Sequence, residues 1–176
     1  MLDAQSHEEL EEGESLAFSL RASELEQEGY ASIPLTMNGF QKLHFHFFQD
    51  VYPFAGQFRN VQLKKMDTLF CQFEYVNDYA TNLFRQLDEE PPWDSLKKAA
   101  ERLAYFKSEL NMLHPFREGN GRTIRTFIYL YALEKGIIWQ YEKMDKERYI
   151  TAMIKAVTDT SILHEVFLET IDFSEV

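Results

Sequence analysis

The segment His114-Pro-Phe-Arg-Glu-Gly-Asn-Gly-Arg-Thr-Ile-Arg125 gathers residue types that handle phosphate. His114 can move a proton near neutral pH. It ends a long apolar-striped stretch, and a helix C-terminus favours the positive imidazole. Pro115 stops that helix. Gly119-Asn120-Gly121 permits backbone angles that other residues resist and opens the next helix. The free N–H groups of such a helix start form an anion site. Arg122 and Arg125, three apart, share a face of that helix and offer guanidinium forks to further phosphate oxygens. Glu118 is a hard oxygen ligand suited to Mg²⁺ that also bridges phosphates. A base, a metal carboxylate, an anion nest and two arginines within twelve residues are parts for phosphoryl or nucleotidyl transfer, assembled without a Walker sequence.

The elements that must position these parts read as helices. Ser6 and Glu9 make a capping box for a helix over 6–28, with Leu10, Ala17 and Leu20 on one stripe and Gly29 as the stop. Thr36 caps a second helix with Phe40, Leu43 and Phe47 on its buried face. His44 and His46, inside that aromatic run, read as packing residues. Over 57–73, β-branched and aromatic residues flank the polar tip Lys64-Lys65-Met66-Asp67-Thr68, which predicts a short β-hairpin resting on a helical body. Val76, Ala80, Leu83 and Leu87 mark a third helix. Asp94 or Ser95 caps a fourth, whose stripe Leu96, Ala99, Leu103, Phe106, Leu110 and Leu113 predicts the central core helix. Further helices are expected from about Gly119 to Lys135, from the Asp145 cap to about Val157, and from Thr160 to about Ile171. The expected fold class is all-α, a helical bundle with one small β-hairpin. No repeat or composition shift divides residues 1–176, so a single domain is expected.

Composition narrows the partners. The chain has 176 residues, with 18 Lys and Arg against 29 Asp and Glu, a formal charge of −11. So acidic a chain is repelled by nucleic-acid backbones and anionic membranes, so neither is expected as a partner. Any bound anion must be held by local fixed charges. One cysteine, Cys71, excludes an intramolecular disulfide. His44 and His46 are two apart and point in different directions on a helix, which argues against a two-histidine zinc site. The first residues lack a basic and an apolar region, so no signal peptide is expected and a cytoplasmic chain is.

At every specified position, HPFREGNGRTIR resembles the signature of the Fic domain, H-x-F-x-[DE]-G-N-G-R-x-x-R. The stretch YPFAGQFRNVQLKKMDTLF resembles the segment that precedes and forms the Fic flap hairpin, and the resemblance runs over about 7–172. It implies a protein adenylyltransferase that moves AMP from ATP to a Ser, Thr or Tyr hydroxyl of a target protein. His114 would be the general base. Glu118 would hold Mg²⁺ between the α- and β-phosphates. Gly119, Asn120 and Gly121 would form the anion hole, with the Asn120 side chain on the α-phosphate. Arg122 would take the β-phosphate and Arg125 the γ-phosphate. Phe116 would anchor the loop. In the flap, Leu63 would pin the target strand and Lys65 would lie near the phosphates. By the same resemblance Tyr149 and Met153 would face the adenine; their spacing fits core packing equally well.

The same resemblance raises regulation. Active relatives are restrained by a helix carrying [S/T]-x-x-x-E-[G/N], whose Glu pairs with the second motif arginine, here Arg125. Ser161-Ile-Leu-His-Glu165 has the spacing, but Val166 stands where Gly or Asn is needed. Glu12-Gly13 has the ending, but Glu8 stands where Ser or Thr is needed. Neither completes the pattern, which favours a separate inhibitory antitoxin. Two other functional readings stay open. One is a relative that transfers another phosphate-containing group. Gly121 argues against phosphate transfer, whose relatives carry Lys there, but phosphocholine transfer can keep the loop. The other is a non-enzymatic nucleotide-binding or interaction module, whose degenerate members lose the His or the glycines.

Overall fold

The computed structural model describes residues 6–30, 33–65 and 67–174. Among them seven α-helices dominate: α1 (His7–Gln27), α2 (Met37–Phe48), α3 (Val76–Glu89), α4 (Leu96–Leu113), α5 (Asn120–Glu134), α6 (Lys146–Lys155) and α7 (Ser161–Thr170). The caps are those the sequence supplies. Ser6, Thr36, Ser95 and Asp145 each accept a backbone N–H of the first turn, from Glu9, Gly39, Lys98 and Arg148. Each such cap stabilises its helix by about 1 kcal/mol.

Helix α4 is the axis of the core. Ala99, Leu103, Phe106, Leu110 and Leu113 are fully buried, and α4 packs against α3, α5 and α7. Truncating one of its leucines to Ala would cost about 2–5 kcal/mol. A second cluster joins α2, α3 and α5 through Phe40, whose ring centroid lies 5.6 Å from Phe84, 5.3 Å from Phe116 and 5.1 Å from Phe127. Edge-to-face and tilted contacts of this kind add about 0.5–1.5 kcal/mol each to the burial. Phe116 belongs to the motif, so this cluster fixes the loop to the bundle.

Three features differ from the sequence expectation. Helix α1 faces the core with Phe18, Ala22 and Leu25, while Leu20 is 59% exposed. The hairpin is shorter than expected: β1 (Lys64–Lys65) pairs antiparallel with β2 (Thr68–Leu69). Of the apolar residues flanking its tip only Phe70 is buried, while Val61, Leu69 and Phe73 are exposed. A second antiparallel pair, β3 (Ile137–Trp139) with β4 (Ile171–Phe173), ties the chain after α5 to the end of α7. Three-residue strands carry too little alternation to show in a sequence pattern.

Candidate active site

The motif spans the turn between α4 and α5. His114 is the C-cap of α4 and sits in the left-handed region, φ 43° and ψ 58°. Its ring stacks on Phe70 from the flap, centroids 3.7 Å apart. Its Nδ1 donates to the Asn111 carbonyl at 3.2 Å, which leaves Nε2 as the lone-pair nitrogen. Burial pushes the imidazole down to about 4, helped by the charges of Arg59 and Lys65. The helix terminus suggested a positive ring; desolvation outweighs it, and His114 is neutral at pH 7.

Past Pro115 the loop is closed by its own side chains. The Asn120 amide accepts the Phe116 N–H at 2.9 Å and donates to the Phe116 carbonyl at 2.8 Å. The sequence expectation aimed this side chain at an α-phosphate; the structure uses both its polar atoms to hold the loop. The two glycines differ in what they need. Gly119 has φ 76°, and a Cβ there would lie 2.4 Å from the Phe48 ring. Gly121 has nothing within 4 Å of its missing Cβ, so its value is the bare backbone it shows to the cavity. The N–H groups of Asn120, Gly121 and Arg122 find no acceptor among the described residues, as expected of a first helical turn. A row of free N–H groups at a helix start is an arrangement able to hold an anion.

Four residues outside the motif hold it in place. Arg59 is 3% exposed and donates to the carbonyls of Val61, Cys71, Leu113 and His114. It therefore ties both ends of the flap to the last turn of α4, satisfying carbonyls the helix leaves open. His44 is fully buried and stacked on Phe116 at 3.8 Å. Its Nδ1 accepts the Gly56 N–H at 2.9 Å, so Nε2 carries the proton and donates to the Glu118 carbonyl at 2.9 Å. Desolvation lowers His44 to about 4. Glu14 of α1 pairs with Arg122 and also accepts from the Tyr52 hydroxyl. The Arg122 guanidinium lies over Phe18 and Phe48, 5.1 and 4.8 Å from the ring centroids. Sequence reasoning missed these roles for Arg59, His44, Glu14 and Tyr52; their partners lie far away along the chain.

The motif opens onto a cavity of about 630 Å³. His114, Glu118, Gly119, Asn120, Gly121, Arg122 and Arg125 all line it, with Lys65 from the flap and Tyr149 and Met153 from α6. Leu63 is not in the wall; it sits at the flap base, where its carbonyl accepts the Phe70 N–H at 3.3 Å. Glu118 is exposed, with one carboxylate oxygen on the Gly119 N–H at 3.2 Å. No group of three metal-ligating side chains occurs among the described residues. An accessible carboxylate beside free helix-start N–H groups, with exposed Asp67 also in the cavity wall, suits Mg²⁺, which takes one or two protein ligands and fills its shell with phosphate oxygens and water. Of the two carboxylates weighed as internal restraints, Glu165 is paired with Arg148 at 3.1 Å, and no ion pair joins Arg125 to either Glu165 or Glu12 among the described residues.

A helical body that presents free helix-start N–H groups, two arginines, a neutral histidine and a small flap at one cavity has the parts of a nucleotide-handling class. Residues 34–132 match the Fic/DOC family, and the chain belongs to it. It is 37% identical over 151 residues to the probable protein adenylyltransferase y4lH of Sinorhizobium fredii, covering 84% of this chain and 77% of that one. It is 33% identical over 167 residues to the protein adenylyltransferase VbhT of Bartonella schoenbuchensis, covering 93% of this chain but only 34% of VbhT. Its fold is similar to the crystal structure of BepC from Bartonella tribocorum with bound AMPPNP, with a TM-score of 0.84 at 19% identity, over 98% of this chain and 90% of that one. No described helix is long and apolar enough to cross a membrane.

Proposed function

We propose that this chain is a protein adenylyltransferase, a nucleotidyltransferase that moves AMP from ATP onto a target-protein hydroxyl. One observation carries the reading: a neutral His114 with a free Nε2, the α5 N–H nest and both motif arginines face one cavity. Nucleotidyl transfer needs a base for the incoming hydroxyl and donors for the charge on phosphorus. His114 Nε2 takes the hydroxyl proton as the oxygen attacks the α-phosphorus. The bond from that phosphorus to the bridging oxygen breaks, and pyrophosphate leaves with the electron pair. Bound triphosphate raises the basicity of His114, because nearby negative charge favours imidazolium. The nest of Asn120, Gly121 and Arg122 N–H groups holds the α-phosphate. Arg122 and Arg125 take the outer phosphates. Glu118 would hold Mg²⁺, which would supply neutralisation of the phosphate charge. Lys65 adds a further positive charge from the flap, and the flap edge at Leu63 registers the target strand.

The reaction belongs to a cytoplasmic chain restrained by a separate antitoxin, whose Glu would pair with Arg125. Two observations support this: Glu165 is engaged with Arg148, and Arg125 has no ion-pair partner among the described residues, which leaves its guanidinium open to such a Glu. Incubation of the purified chain with ATP, Mg²⁺ and a bacterial lysate, followed by intact-protein mass spectrometry, tests the activity. An AMP adduct that disappears with His114→Ala is the expected result. An adduct that persists with His114→Ala contradicts the proposed base.

A further inference from the structure

Lys107 is a buried cation that the reaction scheme does not use. It lies on α4, two turns before His114, and is only 2% exposed. Its ammonium sits 5.5 Å from the Trp139 ring centroid and 5.4 Å from that of Tyr149. It makes no ion pair or side-chain hydrogen bond among the described residues. A methionine would fill such an aromatic slot without the cost of desolvating a charge.

The surroundings explain why a charge is there. Lys107, Asn111 and His114 are spaced along one face of α4, and all three line the cavity. The opposing wall is apolar: Tyr149, Ile150, Met153 and Ile154 of α6, with both isoleucines 58% exposed. The cavity thus has a phosphate end, at His114 and the α5 nest, and an apolar end faced by one ammonium. Seven residues of helix separate Lys107 from His114, a rise of about 10 Å. That span matches the reach from the α-phosphate of a nucleotide to its base.

We propose that Lys107 is a donor-specificity residue, hydrogen-bonding an acceptor atom on the base of the bound nucleotide. An ammonium offers three donors and no acceptor. It therefore selects a ring nitrogen or a carbonyl and cannot recognise an amino group. The apolar wall of α6 holds the flat ring while Lys107 fixes its rotation. The proposal rests on nucleotide binding in this cavity, so the test separates the two.

Isothermal titration of the whole chain with Mg²⁺ and three probes, ATP, 2′,3′-dideoxy-ATP and inorganic tripolyphosphate, is the experiment. Lys107→Met should weaken ATP and dideoxy-ATP by roughly tenfold or more, the size of one lost charge-assisted hydrogen bond, and leave tripolyphosphate unchanged. Lys107→Gln, which keeps a neutral donor, should lose less on ATP and nothing on tripolyphosphate; it also serves if the methionine variant does not fold. Unchanged ATP affinity in both variants overturns the proposal. So does an equal loss on tripolyphosphate, which would mark a general charge effect, and so does a loss seen with ATP but not dideoxy-ATP, which would mark a ribose contact. Failure of the unsubstituted chain to bind ATP while it binds tripolyphosphate would instead overturn the nucleotidyl-transfer reading on which the proposal stands.

Discussion

His44→Phe isolates the contact that holds the loop backbone to the segment before the flap. Phenylalanine keeps the stacking on Phe116 and Phe48 but removes the acceptor for Gly56 N–H and the donor to the Glu118 carbonyl. Two backbone groups lose their partner, at about 1–3 kcal/mol each, so a loss of about 2–6 kcal/mol is expected near neutral pH. The pH dependence gives a sharper number. His44 has its ordinary value of 6.5 in the unfolded chain and about 4 in the folded one. Near pH 7.5 neither state is protonated there and the shift contributes nothing. As pH falls through 6.5 the unfolded state binds a proton that the folded state refuses, so stability falls until about pH 4. Between about pH 7.5 and about pH 5 this amounts to about 2 kcal/mol from His44. His114 titrates in both proteins and cancels. Urea unfolding followed by the fluorescence of Trp93 and Trp139 should therefore show the gap between parent and variant narrowing by about 2 kcal/mol on acidification. A gap that stays constant across this range would refute the claim that His44 is held neutral by burial.

Gly119→Ala should destabilise the chain by about 1–2 kcal/mol or more, through φ strain and the clash with Phe48, and should distort the nest; a thermal melt reads this. Gly121→Ala should leave stability unchanged or raise it by up to about 1 kcal/mol, while ATP affinity measured by titration falls, because the new methyl meets only ligand space. Arg59→Ala strips donors from four carbonyls and should cost about 3–5 kcal/mol in urea unfolding. The nearer replacement Arg59→Lys should recover part of that loss but not the fork that spans both flap ends. Glu14→Ala frees the Arg122 guanidinium from its anchor on α1, and steady-state kinetics should show a higher KM for ATP with a smaller change in kcat.

The chemistry was legible in the sequence because it is local. His114, Glu118, the glycines and the arginines are neighbours, and an α4 stripe sustained over five turns leaves little choice about where they stand. Capping residues were legible for the same reason, acting three residues away. What the sequence hid acts at long range. His44 meets Glu118 across 74 positions, Arg59 meets His114 across 55, and Glu14 meets Arg122 across 108. Nothing in a histidine inside an aromatic run distinguishes a packing ring from a loop clamp; the distinction appears only when Gly56 and Glu118 arrive on its two nitrogens. Lys107 was hidden differently, since a lysine at that point of a helix reads as a solvated residue until Trp139 and Tyr149 close over it. The β3–β4 pair and the true length of the flap escaped because strands of two or three residues draw their stability from neighbours and not from their own pattern.

In the proposed reaction, phosphorus from the α position of ATP ends on a protein hydroxyl. The direct measurement is a parallel incubation of the chain and lysate with ATP labelled either at the α- or at the γ-phosphate, followed by gel autoradiography. The expected result is α-label on protein, no γ-label, and loss of the α-label with His114→Ala. Protein labelled from the γ position by the active chain, and not by His114→Ala, would contradict it and make the enzyme a phosphotransferase.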